Sequence, residues 1–387
     1  MAIPHNLTLP EGFRCGGATA GIKPSGRSDL MLLVADAPCT AAGVFTRNLV
    51  VGAPVTLSRQ RVPTDRCRGV IINSGNANAG GGDHGATAAD RMVAAAEEAT
   101  GGETGSFLVA STGVIGHLLP TDGITRVLPD LVASLGTDAA AIEAAARGMM
   151  TTDTVPKVAA AGSVVGLAKG AAMIAPNMGT MLAVLATDAI LSPDAAQGLL
   201  RRAVDTTFNQ IAIDGHTSTS DTVFLLCSGK RERPDLESEV AAVCDELARA
   251  IVRDGEGAGH FVTVDVIGLP RGDAKRIGRV LTSDALVKCA LTGNDPNWGR
   301  IVSACGWSGV SFDPSRLRLA IDGVPIFAGD PLPFDETALS QSMAEVGPSG
   351  LPEVHIEVTF DGDGERLRFY TTDLTQEYVR LNSEYTT

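Results

Sequence analysis

Apolar and polar positions along the chain alternate between two periods. Short apolar runs at Leu30–Ala35, Gly69–Ile72, Ser163–Ala168 and Val262–Gly268 read as strands. Leu236, Val240, Val243, Leu247 and Ile251 recur at steps of three and four, with Pro234 near the start and Gly255 just past the end, which predicts an amphipathic helix packed on a sheet. Ser192-Pro193 opens a second helix over Asp194–Thr206, with Ser192 as N-cap and Leu199, Leu200 and Val204 on one stripe. Ala86–Thr100 is a third, rich in alanine. Near the C-terminus Val354–Phe360 and Arg366–Tyr370 alternate around Asp361-Gly362-Asp363-Gly364, a hairpin signal. Strands and helices interleave throughout, so the expected class is α/β or α+β. No fixed-period repeat and no long Pro/Ser linker divides the chain.

Composition narrows the function classes. With 387 residues, 44% hydrophobic and 20% charged, the chain can bury one large layered core or two smaller ones. Its 31 Lys+Arg against 45 Asp+Glu give a formal charge of −14, which repels phosphate backbones and anionic membranes. Aromatic residues make up 4%, too few for base-stacking platforms, so nucleic acid is not an expected partner. Seven cysteines form no CxxC pair, and none of the six histidines pairs with another at metal-ligand spacing, so no metal is expected. The opening MAIPHNLTLPEGF has no basic n-region or apolar h-region, and no window approaches a membrane span. These features predict a cytoplasmic protein with reduced core thiols.

The chemistry centres on KGAAMIAPNMGTMLAVLATDA, Lys169–Ala189, where Gly179-Thr180 joins a Pro/Asn turn to a long apolar run. Gly179 has no Cβ, so the backbone there can take the strained geometry that brings the Thr180 hydroxyl onto the preceding carbonyl. An N-to-O acyl shift followed by hydrolysis would free Thr180 as a new N-terminus. Its α-amine, with an ordinary pKa of about 7.7–8.0, can then act as base for its own hydroxyl. Taken alone, the pair is more plainly a strand threonine after a turn glycine.

Other segments supply matching groups. Ser111-Thr112-Gly113 follows the apolar run Phe107–Ala110, where the Thr112 hydroxyl and Gly113 N–H suit an oxyanion hole, although an ordinary turn fits as well. Thr151-Thr152-Asp153-Thr154 clusters hydroxyls, and Lys169, set between Ala168 and Gly170, suits a substrate carboxylate or acyl oxygen, or else snorkels at a strand end. Glu256 lies in the glycine loop Asp254–Gly259, where a carboxylate can meet a substrate ammonium. Asn382 and the terminal Thr387 carboxylate belong to a polar C-terminal run that otherwise simply frays. Asn73–Ala79 offers side-chain amides to a pocket, or an array of Asx turns.

These segments carry a resemblance. INSGNANA from Ile72, ASTGVIG from Ala110, MTTDT from Met150, AKG around Lys169, MIAPNMGTML, STSDT from Ser218, DGEGA from Asp254, GNDPNWGRI from Gly293 and the terminal YVRLNSEYTT occur in order. With them the chain resembles the ornithine acetyltransferase family, also called glutamate N-acetyltransferases, from Gly21 to Thr387. The resemblance implies an αββα-type core and a precursor cut between Gly179 and Thr180. The product is an α chain (1–179) and a β chain (180–387) intertwined in one unit, assembled as an α2β2 heterotetramer. It implies Thr180 as nucleophile, Thr112 and Gly113 as oxyanion stabilisers, and Thr151, Lys169, Thr180, Glu256, Asn382 and Thr387 as substrate contacts. Glycine precedes the threonine in some relatives and alanine in others. The implied reaction is ping-pong: N-acetylornithine acetylates Thr180, ornithine leaves, and glutamate takes the acetyl group in arginine biosynthesis. It needs no cofactor, and whether acetyl-CoA is a co-substrate stays open.

Two rivals share parts of this pattern. A threonine-dependent amidase or aminopeptidase would use water as acceptor, and a non-catalytic amino-acid-binding protein would share only the fold.

Overall fold

The computed structural model describes residues 3–175 and 181–384. Gly179, Thr180 and Thr387 therefore lie outside the described residues.

The first half of the chain interleaves strands β1 (Phe13–Ala18), β2 (Leu30–Phe45), β3 (Thr64–Asn76), β4 (Phe107–Val114), β5 (Lys157–Ala161) and β6 (Val164–Lys169) with helices α1 (Ala53–Arg61), α2 (Gly82–Thr100), α3 (Thr121–Ala133) and α4 (Ala139–Met149). After residue 180 come β7 (Leu182–Ala189), α5 (Pro193–Asp205), β8 (Thr222–Arg231) and α6 (Leu236–Arg253). Strands β1–β8 form one eight-stranded sheet, ordered β4-β3-β2-β8-β7-β6-β5 with β1 added to β2. Strands from both sides of position 180 thus sit in one sheet, and β8 lies between β2 and β7. That interleaving is what keeps the two halves together if the chain is cut.

Helices cover both faces. Ala145, Ala146 and Met149 of α4 pack with residues of β2–β4 and β6–β8, whereas α5 and α6 bury Leu200, Val243 and Leu247 against the opposite face. Alanine dominates the α4 contact because the helix runs against the sheet backbone. A Cβ on Gly148 would stand 2.3 Å from the Leu30 carbonyl oxygen.

The remaining chain builds a second layer from β9 (Phe261–Ile267), β10 (Arg318–Ile321), β11 (Val324–Ala328), β12 (Glu353–Thr359) and β13 (Leu367–Thr372), with helices α7 (Arg271–Ser283), α8 (Ala285–Thr292), α9 (Trp298–Trp307), α10 (Glu336–Met343) and α11 (Gln376–Glu384). These strands form a five-stranded sheet ordered β11-β10-β12-β9-β13. The mixed, layered α/β class expected from the sequence holds.

Most predicted elements appear where the pattern put them. Ser192 caps α5 through the Ala195 N–H at 3.3 Å. Helix α2 begins one turn earlier than the alanine pattern suggested and ends at Gly101, whose left-handed conformation (φ 66°) lets its N–H reach the Glu97 and Glu98 carbonyls.

The C-terminal hairpin is a correction. β12 and β13 do not pair; β9 inserts between them, parallel to β12 and antiparallel to β13. The Asp361–Gly364 turn arches over the end of β9 instead, where the Phe360 N–H donates to Ile267 and the Gly268 N–H donates to Gly364. Alternation specified two half-buried strands, but not that a strand nearly a hundred residues earlier would separate them.

Gly268 makes that crossing sterically feasible. Its φ is +87°, and a Cβ there would stand 2.2 Å from the Phe360 carbonyl oxygen. We expect Gly268→Ala to destabilise by about 2–3 kcal/mol, a fall on the order of 5 °C in the melting temperature. Gly272→Ala, in α7 with open space around it, serves as a control that leaves the melting temperature unchanged or slightly raised. Calorimetry of the two variants checks this.

Candidate active site

Six of the residues singled out in the sequence, Thr112, Gly113, Thr151, Lys169, Glu256 and Asn382, line a single cavity of ≈ 700 Å³. They arrive there on separate elements. Thr112 and Gly113 end β4, Thr151 follows α4, Lys169 ends β6, Glu256 follows α6, and Asn382 lies on α11.

The oxyanion candidate sits where β4 runs parallel to β3, with Gly113 opposite Gly75. A Cβ on Gly113 would lie 2.3 Å from the Gly75 carbonyl carbon, and its φ of +129° is one that side chains avoid. Only glycine fits. Beside it the Lys169 ammonium donates to Thr112 Oγ1 at 3.2 Å, so the Thr112 hydroxyl keeps its own proton for an acceptor in the cavity. β4 and β6 are separated in the sheet by four strands, so this contact requires the sheet to curl around α4.

Lys169 does not snorkel; it is buried. Burial pushes its pKa below the ordinary lysine value, while Asp153, Asp221 and Glu256 pull the other way. The register places Lys169 opposite Leu182 and Leu182 opposite Thr222, so its backbone lies level with the start of β7, two residues after Thr180.

Asp153 is the residue that sequence reasoning passed over. Fully buried, it accepts from Lys157 Nζ at 2.6 Å, the Gly170 N–H at 2.7 Å and the Thr151 N–H at 2.9 Å. Burial alone raises its pKa, but Lys157, Lys169 and the Gly170 N–H outweigh burial and hold the carboxyl below the usual carboxylate range. Lys157 also pairs with Asp254, which takes the Thr154 N–H at 3.0 Å. The TTDT cluster is therefore a clamp joining the segments that carry Thr151, Lys169 and Glu256. A buried aspartate that cements loops has no signature beyond its apolar neighbours, and only Lys157 at i+4 hinted at it.

The opposite wall is acidic. Asn382 Nδ2 donates to Glu256 Oε2 at 2.8 Å, and the Glu256 N–H binds the Ala171 carbonyl at 2.8 Å. Asp214 accepts the N–H groups of Met173 and Ile174 at 2.6 and 2.9 Å and the Tyr378 hydroxyl at 3.1 Å, fixing the chain at Met173 and Ile174. Lys23 adds a second cation on the side of Thr151, held by the Ser28 and Met150 carbonyls at 2.6 Å each; burial lowers its pKa to about 8, with Asp29 pulling it up. Neither Asp214 nor Lys23 stood out in the sequence.

The Asn73–Ala79 loop is the array of turns rather than a set of amide ligands. Asn76 Oδ1 accepts the Asn78 N–H at 2.8 Å, and Asn78 Nδ2 reaches the Gly85 carbonyl at 2.9 Å. Among the described residues, one group has metal-ligand geometry, Asp265 with His355 and Glu357 on the second sheet. There the Asp265 carboxylate already accepts from Arg366 and Arg368 at 2.7–2.8 Å, so guanidinium groups supply its cations.

A family model described as the ArgJ family matches residues 14–387. The chain belongs to the ArgJ family. Relatives named "Arginine biosynthesis bifunctional protein ArgJ" align across its length. The one from Thermosynechococcus vestitus is 42% identical over 100% of this chain and 99% of its own, and the one from Thermus thermophilus is 43% identical over 98% and 100%. A crystal structure of the protein of that name from Bacillus halodurans is 32% identical over 52% of this chain and 97% of its own, with a TM-score of 0.49. ArgJ relatives are named as enzymes of arginine biosynthesis, and the ArgJ cavity here has what group transfer requires: a hydroxyl donor, buried cations and an acidic wall.

The Asp153 clamp makes a sharp expectation. Asp153→Asn leaves Lys157 and Lys169 without their shared anion in a buried site and should cost about 3–5 kcal/mol near neutral pH. Because the folded carboxyl is held below its unfolded value of about 3.9, this contribution is complete above that pH and is lost as pH falls through and below it. Melting curves of the two proteins should therefore lie far apart at pH 7 and approach each other below pH ~4.

Proposed function

We infer that this chain is a self-processing acetyltransferase that moves the acetyl group of N2-acetylornithine to glutamate through an ester on Thr180. The observation that carries the reading is the convergence of Thr112, Gly113, Thr151, Lys169, Glu256 and Asn382 on one cavity in a chain of the ArgJ family. Both substrates are zwitterionic amino acids, so the pocket needs a cation for the α-carboxylate and an anion for the far ammonium of ornithine. Lys169 takes the first role. Glu256 and the Thr387 carboxylate take the second, and Asn382, hydrogen-bonded to Glu256, is the neutral group that tolerates the glutamate side chain.

In the first half-reaction the Thr180 hydroxyl attacks the acetyl carbonyl, its proton passing to the Thr180 α-amine. Negative charge develops on the carbonyl oxygen, which Thr112 and Gly113 stabilise. The Thr180 ammonium returns that proton to the ornithine nitrogen, the C–N bond breaks, and ornithine leaves as the ester remains. Glutamate then binds through the same carboxylate contact, and its amine takes the acetyl group. No metal or bound cofactor enters the scheme. We place the enzyme in the cytoplasm as an α2β2 assembly of the two fragments; none of its described helices is long and apolar enough to cross a membrane, and Leu49, 98% exposed, and Leu118, 68% exposed, offer apolar surface for assembly.

An assay of glutamate acetylation with acetylornithine as donor tests the reading. Acetylglutamate should form in proportion to ornithine released. Free acetate released at a rate indifferent to glutamate would make the chain an amidase instead. Offering acetyl-CoA in place of acetylornithine decides whether the "bifunctional" in its relatives' names extends to a second donor here.

Removal of one oxyanion donor by Thr112→Val should lower kcat on the order of 10²–10³-fold with little change in KM. Glu256→Gln should raise KM for acetylornithine about tenfold while leaving that for glutamate within about twofold, as expected for loss of about 1.4 kcal/mol of charge pairing. Equal effects on both substrates would contradict the division of roles.

A further inference from the structure

The two substrates of the reading above differ in charge at their far ends. Acetylornithine presents one carboxylate and a distant ammonium, whereas glutamate presents two carboxylates. The wall that suits the ammonium, with Glu256 and Asp214, repels a second carboxylate. Asn382 tolerates that group but brings no charge to it. A second cation answers the need.

Lys23 is such a cation, and the reaction above does not use it. It lines the cavity from the segment between β1 and β2, with 8% of its surface exposed. A Cβ on Gly75 would stand 2.9 Å from Lys23 Cγ, and Gly75 pairs with Gly113 across β3 and β4. The Lys23 stem therefore crosses the glycine pair that forms the oxyanion candidate. The Ser28 and Met150 carbonyls take two of its N–H groups, which leaves the third for a ligand. Among the described residues no carboxylate pairs with this ammonium. Asp29, the nearest acid in the chain, spends its oxygens on the N–H groups of Ala20, Ile22 and Lys23 at 2.5, 2.6 and 3.1 Å. Lys157 shows the contrast, since Asp153 and Asp254 both neutralise it. A buried ammonium without a counter-ion is costly, and two of them, Lys23 and Lys169, line this cavity.

We propose that Lys23 is the acceptor subsite, binding the side-chain carboxylate of glutamate while Lys169 holds its α-carboxylate. The two buried cations then match the two carboxylates of the acceptor. Rotation about the side-chain torsions turns the far end of the donor toward Glu256 and that of the acceptor toward Lys23, with the α-carboxylate common to both. One cavity thereby takes side chains of opposite charge. Burial, with Arg27 and Lys169 adding to it, lowers the Lys23 pKa to about 8 against the pull of Asp29 and Asp153, so the group is charged at neutral pH and loses its charge in mildly alkaline solution.

The proposal rests on the acetyltransferase reading above, and the experiment keeps the two apart. Purified enzyme with acetylornithine as donor is offered glutamate or glutamine, which has nearly the same shape and no side-chain charge. Wild type should prefer glutamate at least ~10-fold in kcat/KM near neutral pH, and the preference should fall as pH rises through about 8. The ratio cancels the titration of groups that serve both acceptors, the Thr180 amine and Lys169 among them. Lys23→Gln, which keeps N–H donors for the carbonyls, and Lys23→Met, which keeps the stem, should raise KM for glutamate at least ~10-fold and bring the two acceptors close to parity at every pH, with KM for acetylornithine within about twofold. Lys23→Arg should retain a preference for glutamate and lose its alkaline decline. A folded Lys23→Gln or Lys23→Met enzyme that still prefers glutamate, or that loses both acceptors equally, overturns the role of Lys23. So does a wild-type preference that is absent or constant across pH ~6.5–9.5, a result that needs no variant to fold. Wild type that forms no acetylglutamate at all overturns the underlying reading as well.

Discussion

A single water-excluded carboxylate, Asp153, holds the cavity together. Its oxygens gather Lys157, the Gly170 N–H and the Thr151 N–H, and through Lys157 they reach Asp254 at the foot of α6. Three chain segments that approach from different elements are thereby locked at one point. A site spread across helix ends and strand ends needs such a fastening, because backbone groups leaving regular structure would otherwise go unpaired away from water. The charge is also functional in a second sense. By opposing the burial of Lys169, Asp153 keeps a cation available where a carboxylate substrate must dock.

The cavity is accordingly polarised, with Lys169 and Lys23 toward the strand ends and Glu256 and Asp214 toward α6 and α11. A dipolar amino acid fits such a field in one orientation, which places its acylated nitrogen consistently relative to the start of β7. The curled sheet makes that polarity attainable by bringing β4 and β6 together across α4, so the oxyanion donors and the carboxylate-binding cation touch. The interleaving of β7 and β8 among strands from residues before 180 explains how cleavage can expose a reactive amine without dispersing the site.

Much of this was legible in the sequence, for identifiable physical reasons. Strands β2, β3, β6 and β9 were evident because buried strands are continuous apolar runs, and α5 and α6 because caps and helical stripes are local signals. The site residues were legible through ordered motifs, and Thr112, Gly113, Thr151, Lys169, Glu256 and Asn382 do share a cavity. The pairing of β12 and β13 was misread because strand order is a long-range property: the Asp361–Gly364 turn fits a hairpin locally, and the arch over β9 becomes evident only once Gly268 is seen beneath Phe360. Asp153, Asp214 and Lys23 were passed over for a related reason. A buried ionisable group is identified by what surrounds it in space, and Asp214 lies some two hundred residues from Lys23 in the chain.

The whole reaction turns on residue 180 becoming a free N-terminus that carries the acetyl group between substrates. The most direct measurement is mass spectrometry of purified protein incubated with acetylornithine and no acceptor. Two fragments are expected, the second beginning at Thr180 and gaining one acetyl group that glutamate then removes. A single uncut chain, or a cut chain whose second fragment never gains that group while acetylglutamate still forms, would contradict it.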